Sequence, residues 1–506
     1  MILREAFDYP FSRLDPLGDH IDPPSVAIYE TLLVKGPDWR GHPMLAGGWE
    51  VSEDGFEWRL RLRPGMRFHS GDRCDAPAVL AALEHLRDHA QPGRRLWYWD
   101  PVETLAVTGE EELVFRLRHP YSRLPALLWG THTAVYNEAR RARDDKGSGR
   151  AWADGTGPFR LVSWSPERVV AEAWDTYPGA PAEFLQPGPA RASRIEWLAI
   201  LDEDERLEAL ERGQVDCLHG PPLGEVGRLV DDGRFDVRRY PQASSMYLSL
   251  DWHRNDLGFD DPRVRRAVSL AVDRRALVAG ALHGVGSPAY GPVPPGDEFY
   301  DPGPDRAGRH DPPAAAGLLE AAGWTLGEDD VRCRAGVPLA FECVIQDDPV
   351  FRRVASLVAD QLALVGVRLS LRPVAPFAPF YRAVAESPPA AISKWLWQDP
   401  LDAIIGFSAA YNDPFPNWQH SCVPELDDAY RGWLRAGSHE ELTAAASRVQ
   451  TVFAEMLPYV PLLVPDDVWV SRPRVHGWEP FPANLYPFYQ GVWLDGRAES
   501  SCEKVV

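Results

Sequence analysis

The sequence predicts an α/β protein of two lobes with a cleft between them, and three observations carry that expectation. A chain of 506 residues exceeds what one compact core holds, so two or three packed units are expected. The first third is dense in strand patterns of period two, and from about residue 245 strand and helix patterns alternate instead. Two successive α/β regions of different texture imply two lobes, and clefts between lobes are where ligands usually bind.

In chain order, Phe56 to Leu62 alternates apolar and polar residues, as a half-buried strand does. Leu113, Phe115 and Leu117 repeat the period, with Arg116 and Arg118 facing the other way. Between them Ala76 to His89 reads as a helix capped by Asp75, with Val79, Leu80, Leu83 and Leu86 as its apolar stripe. Arg140 to Gly149 is charged and reads as an exposed loop, and Gly155-Thr156-Gly157-Pro158 breaks the chain before a strand over 160–164. The Pro- and Gly-rich stretch 178–190 reads as a surface excursion. Met246 to Leu250 is the next strand. Asp261-Pro262 and Asp311-Pro312 each supply a cap and a first-turn proline, and Gly323 closes the second of those helices. The stripe Phe351, Val354, Ala355, Val358, Leu362, Val365 leads through Gly366 into a strand carrying Val367, Leu369 and Leu371, which is an α/β unit. No period of 20–50 residues repeats, so a solenoid or propeller is excluded.

Composition narrows the function classes. Apolar residues make up 45% of the chain and charged ones 25%, which is ordinary globular material. A formal net charge of -21 repels phosphates and anionic lipid, so no nucleic-acid partner is expected. No apolar run approaches the roughly 20 residues of a bilayer span. The N-terminus enters folded-looking sequence at once, so either an export signal lies outside this numbering or the protein stays inside the cell. Of six cysteines, only Cys333 and Cys343 are close enough for a local bridge, and scattered buried thiols are the plainer expectation.

Chemical signatures are sparse. There is no G-x-S-x-G, H-E-x-x-H, G-x-x-x-x-G-K-[ST] or G-x-G-x-x-G motif, and the 14 histidines show no metal-ligand spacing. No cofactor, metal or catalytic residue is therefore assigned. Asp202 to Glu205 reads as a solvated loop or helix start. What stands out is 19 tryptophans, with the clusters Trp97-Tyr98-Trp99 and Trp395-Leu396-Trp397 beside chain-breaking residues. Stiff amphipathic rings at turns suit a pocket wall as well as a core.

Several blocks in order resemble the bacterial extracellular solute-binding proteins of family 5, which serve ABC importers of oligopeptides, dipeptides and nickel. They are Leu62-Arg63-Pro64-Gly65-Met66-Arg67-Phe68-His69-Ser70-Gly71-Asp72, Gly155-Thr156-Gly157-Pro158-Phe159, and Asp261-Pro262-Arg263-Val264-Arg265-Arg266-Ala267 with Ala271-Val272-Asp273-Arg274. Gly291-Pro292-Val293-Pro294-Pro295 and the segment from Asp311-Pro312 to Gly323-Trp324 complete the set. The resemblance implies a periplasmic-binding-protein-like α/β fold: two lobes, an extra domain inserted in the first, and a hinge. It implies a first lobe over 1–239 with its insert at about 31–155, a second over 240–465, and a return over 466–506.

It also implies a monomer that captures a small, peptide-like ligand by hinge closure and delivers it to an ABC transporter permease outside the cytoplasm. In such families an acid neutralises the ligand's amino group, so Asp399 is the candidate here, with Trp395 and Trp397 as wall and Trp97 and Trp99 as a second aromatic cluster. Tyr247, Tyr411, Asn412 and His420 complete the expected ligand-binding set. Without a visible export signal, an intracellular enzyme or ligand sensor on the same scaffold is the alternative.

Overall fold

The computed structural model describes residues 1–495 except 12–13, 18–22, 39, 90–98, 122, 131–132, 144–151, 243, 305–307, 377, 397–416 and 481–486. The chain opens with β1 (Ile2–Phe7), buried over most of its length, and a short helix α1 (Pro23–Ile28). It then leaves for an antiparallel sheet of β2 (Ala46–Val51), β3 (Glu57–Leu62), β4 (Val102–Val107) and β5 (Glu112–Leu117), in the order β2-β3-β5-β4. Helix α2 (Ala76–His89) buries Val79, Leu83 and Leu86, and Asp75 Oδ1 accepts from Ala78 N at 3.2 Å, as its sequence predicts.

The return is through Gly155-Thr156-Gly157. A Cβ on Gly155 would stand 2.2 Å from the Ile28 carbonyl oxygen, and one on Gly157 2.5 Å from that of Ala27. Glycine is required there because α1 lies directly against the backbone. A tight turn follows Phe68: Phe68 N donates to Asp72 O at 2.9 Å, with Gly71 at φ +90°.

β6 (Phe159–Ser165), β7 (Arg168–Ala173), β8 (Arg194–Ala199), β9 (Cys217–His219) and β10 (Asp236–Pro241) follow. β1 is parallel to both β8 and β9. The second half carries β11 (Ser244–Leu250), β12 (Gly286–Pro288), β13 (Ala340–Gln346), β14 (Arg368–Val374) and β15 (Ala390–Leu396), with β13 parallel to β14 and β15. Helix α3 (Pro262–Ala271) is capped by Asp261, and α4 (Pro349–Ala363) passes through Gly366, at φ +81°, into β14. That is the predicted α/β unit.

One strand joins the halves. β16 (Val460–Ser471) pairs β11 and β12 through residues 460–465, and β9 and β10 through residues 466–471. Beside it the chain steps from Pro241 at the end of β10 to Ser244 at the start of β11. Two lobes are thus connected by two crossings lying side by side.

The apolar cores do not follow the chain so simply. Leu60, Phe115 and Leu127 of the insert share one core with Trp433, Phe453 and Tyr459, which belong to α5 (Pro424–Arg435), α6 (His439–Met456) and the segment after it. The Arg123 guanidinium lies 4.9 Å from the Trp433 ring centre, a cation–π contact across that seam. Cys333 and Cys343 are both free: Cys333 sits opposite Thr325 in a small separate ladder, whereas Cys343 is buried on β13. Strand membership, invisible in their spacing, parts them. Arg140 and Arg141 end a short helix rather than a loop, and Asp202 caps the helix Glu203–Glu211.

Candidate functional site

Parallel strands aim their carboxyl ends in one direction, and in open α/β sheets ligands bind outside those ends. In the first lobe β1 ends at Phe7, followed by Asp8, and β9 ends at His219, followed by Gly220; in the second, β15 ends at Leu396. Leu396 is the register partner of Ser244, the residue at which the chain has just crossed between lobes. The carboxyl ends of both lobes therefore meet at the crossing.

A polar network occupies it. His219 Nε2 lies 2.7 Å from Asp467 Oδ1, and Nδ1 lies 3.3 Å from Asp8 Oδ1. Gln242 Nε2 donates to Asp467 Oδ1 at 3.1 Å, and Trp469 Nε1 donates to Oδ2 at 3.2 Å. From the second lobe, Lys394 Nζ reaches Gln242 Oε1 at 3.5 Å, so the chain of contacts passes from one lobe to the other. Burial opposes charge on His219, yet the two flanking carboxylates outweigh it and push its pKa up to about 10. Burial likewise opposes ionisation of Asp8, but the His219 cation and Arg206 bring it down to about 2. Asp467 is also lowered, against its burial, by His219. The result is an imidazolium fixed between two carboxylates, a charged and internally hydrogen-bonded cluster at the crossing.

Of the residues expected from sequence, Trp97, Trp397, Asp399, Tyr411 and Asn412 lie outside the described residues, and for Trp395 only its place on β15, opposite Ser245, is described. That place is the crossing end of the strand. Trp99 is 4% exposed within the core shared by the insert and the second lobe. Tyr247 is fully buried against Tyr459, ring centres 4.6 Å apart. His420 stands elsewhere. Its Nδ1 lies 2.9 Å from Asp251 Oδ1, and Asp251 follows the far end of β11, opposite to the crossing. His420 is also not solitary, because the His253 ring stacks on it at 4.1 Å. Asp8, His219, Gln242, Lys394 and Asp467 were missed by sequence reasoning. Only the position of Asp8 and His219 just at or after short apolar strands could have pointed to them.

A sheet divided by two adjacent crossings, with the strand ends of both halves facing a polar seam, defines a two-lobed binding-protein fold. Solved structures of that class match nearly the whole chain: NikA of Brucella suis in complex with Fe(III)-EDTA (TM-score 0.82, 22% identity, 98% of this chain and 100% of that one) and DppA of Helicobacter pylori in complex with the peptide STSA (TM-score 0.80, 21% identity, 98% of each). The chain belongs to the bacterial extracellular solute-binding proteins, family 5, whose "family 5 Middle" pattern matches residues 41–415. Among curated relatives it is similar to the glutathione-binding protein GsiB of Escherichia coli (strain K12), with 28% identity over 324 residues. That match covers 63% of this chain and spans 60% of the relative's length. Among the described residues no helix is long and apolar enough to cross a membrane.

Proposed function

We propose that the protein captures a small peptide-like solute at the seam between its lobes, closes over it by bending at the two crossings, and delivers it to an ABC importer outside the cytoplasm. The observation that carries this reading is the pair of crossings at 241–244 and 465–466, toward which the carboxyl ends of both lobes point. Two strands side by side resist twisting but bend readily, which is what a hinge between rigid lobes needs. The same crossings support a division of the chain near residues 240 and 465.

The ligand class draws support from two similar proteins, a glutathione-binding protein and one solved in complex with a short peptide. A peptide suits the site chemically. Its amino group would meet Asp399 in the segment following β15, Trp395 and Trp397 would form a wall, and its carboxylate would face Lys394. Binding without turnover fits the titration of the crossing. His219 is held as a cation and its two carboxylates as anions, so none of the three is poised to exchange a proton near neutral pH.

A thermal-shift screen with di- and tripeptides, glutathione included, tests the reading, alongside native mass spectrometry of copurifying ligands. A ligand at about 100 times its Kd adds roughly 2.7 kcal/mol. Stabilisation that Asp399→Asn abolishes, with compaction in small-angle scattering, is the expected result. No stabilising peptide and no change of shape would refute it.

A further inference from the structure

At the far end of β11, three side chains distant in sequence converge without any motif announcing them. Asp251 follows β11 directly, with its N–H bonded to the Pro389 carbonyl at 3.0 Å. It is 5% exposed. His253 lies two residues on and is exposed, whereas His420 arrives from 169 residues beyond Asp251. One ligand atom from each of Asp251, His253 and His420 falls within 4.8 Å of the others. We infer that these three residues form a binding site for a divalent late first-row transition metal ion, of the Ni2+ or Zn2+ class.

Donor chemistry favours this class. Two imidazoles and one carboxylate are the ligands that nickel and zinc accept, whereas calcium and magnesium demand oxygen. The geometry is nearly set. Two ligands each about 2.1 Å from one ion stand about 3.0 Å apart at a right angle, and His420 Nδ1 and Asp251 Oδ1 are already 2.9 Å apart. An ion can therefore take the place of the proton that this pair shares. The stacked His253 ring, at 17° to that of His420, brings the third donor by a side-chain rotation available to an exposed residue.

Support behind the ligands is rigid. His420 sits at φ +51°, a backbone conformation that costs a non-glycine residue energy and must be imposed by its surroundings. The imposing structure is a buried turn: Asn417 Nδ2 donates to Ser421 O at 2.8 Å, Ser421 N donates to Asn417 Oδ1 at 3.0 Å, and Trp252 N donates to Gln419 O at 2.9 Å. The nearby cation Arg254 is neutralised by both oxygens of Asp256, at 2.9 and 2.8 Å. Three protein ligands leave positions for water, and the ion would staple the 417–421 turn to the end of β11. None of the three ligands belongs to the crossing, so this site stands apart from the solute site proposed above.

The test uses the full chain, stripped with EDTA and titrated with Zn2+ and separately Ni2+ by calorimetry. One ion per chain is expected. His253→Ala and His420→Ala should each weaken it by more than about tenfold while leaving the metal-free melting curve close to wild type. Co2+ in the site should give weak visible bands of nitrogen and oxygen ligands without sulfur charge-transfer absorption. Failure to bind one ion stoichiometrically overturns the proposal, as does equal affinity in the His253→Ala/His420→Ala double variant.

Discussion

Two histidine–carboxylate clusters stand at opposite ends of the β11–β15 strand pair, and they are built for different ends. At the crossing, both nitrogens of His219 face carboxylates, at 2.7 and 3.3 Å. Both ring N–H groups donate to carboxylates and the ring is a fixed cation. At the far end His420 has one carboxylate at 2.9 Å and a second imidazole stacked on it. Donor capacity is left over there. A histidine between two anions is a structural charge; a histidine beside one anion and another histidine is a ligand set. Neighbours, not residue type, make the difference.

The largest effect that would break the comparison is at the crossing. Asp467→Asn leaves a partly buried imidazolium with one anion, and should cost about 3 kcal/mol in urea unfolding at pH 7. A loss under about 1 kcal/mol would place His219 among ordinary surface pairs. The pH dependence sharpens it. His219 has its pKa raised from 6.5 to about 10, so its contribution is complete below pH 6.5 and fades as pH climbs through 10. His219→Gln should remove that alkaline decline.

Glu5 serves as a carboxylate with neutral partners for contrast. Trp478 Nε1 donates to it at 3.0 Å and Tyr489 Oη at 2.7 Å, and burial pushes its pKa from 4.5 up to about 7 despite those bonds. The folded chain therefore holds a proton that the unfolded chain has released, and stability falls between pH 4.5 and 7 by about 3 kcal/mol. Glu5→Gln should flatten that interval, whatever its effect on absolute stability.

At the far end the metal-free effects are small. His420→Gly loses the Asp251 contact but relieves a left-handed backbone, so unfolding should shift by no more than about 1 kcal/mol. His253→Ala, on an exposed residue, should change metal-free stability by under about 0.5 kcal/mol. A larger loss in either would make this cluster structural, like the other.

Local chemistry made most of the fold legible. The Asp-Pro caps at Asp261 and Asp311, the stripe from Phe351 to Leu362 and the alternation from Glu57 to Leu62 each form the element they encode, because capping and periodicity act over a few residues. Of the aromatic residues expected at the ligand, Trp395 lies near the crossing end of β15, opposite Ser245. The expected ligand set held both Asp399 and His420; Asp399 lies outside the described residues, and His420 is set against Asp251 at the end of β11 away from the crossing. Cys333 and Cys343, ten positions apart, fall on separate ladders.

By itself the sequence determined most of the strands and helices, the α/β class and, through its ordered motifs, the family. Only the tertiary structure decided which residues share a site. Asp8, His219 and Asp467 meet because β1, β9 and β16 are neighbours in one sheet, and Asp251 meets His420 because a buried turn docks on the end of β11. Pairing between strands hundreds of residues apart is a global free-energy choice, and no local pattern records it.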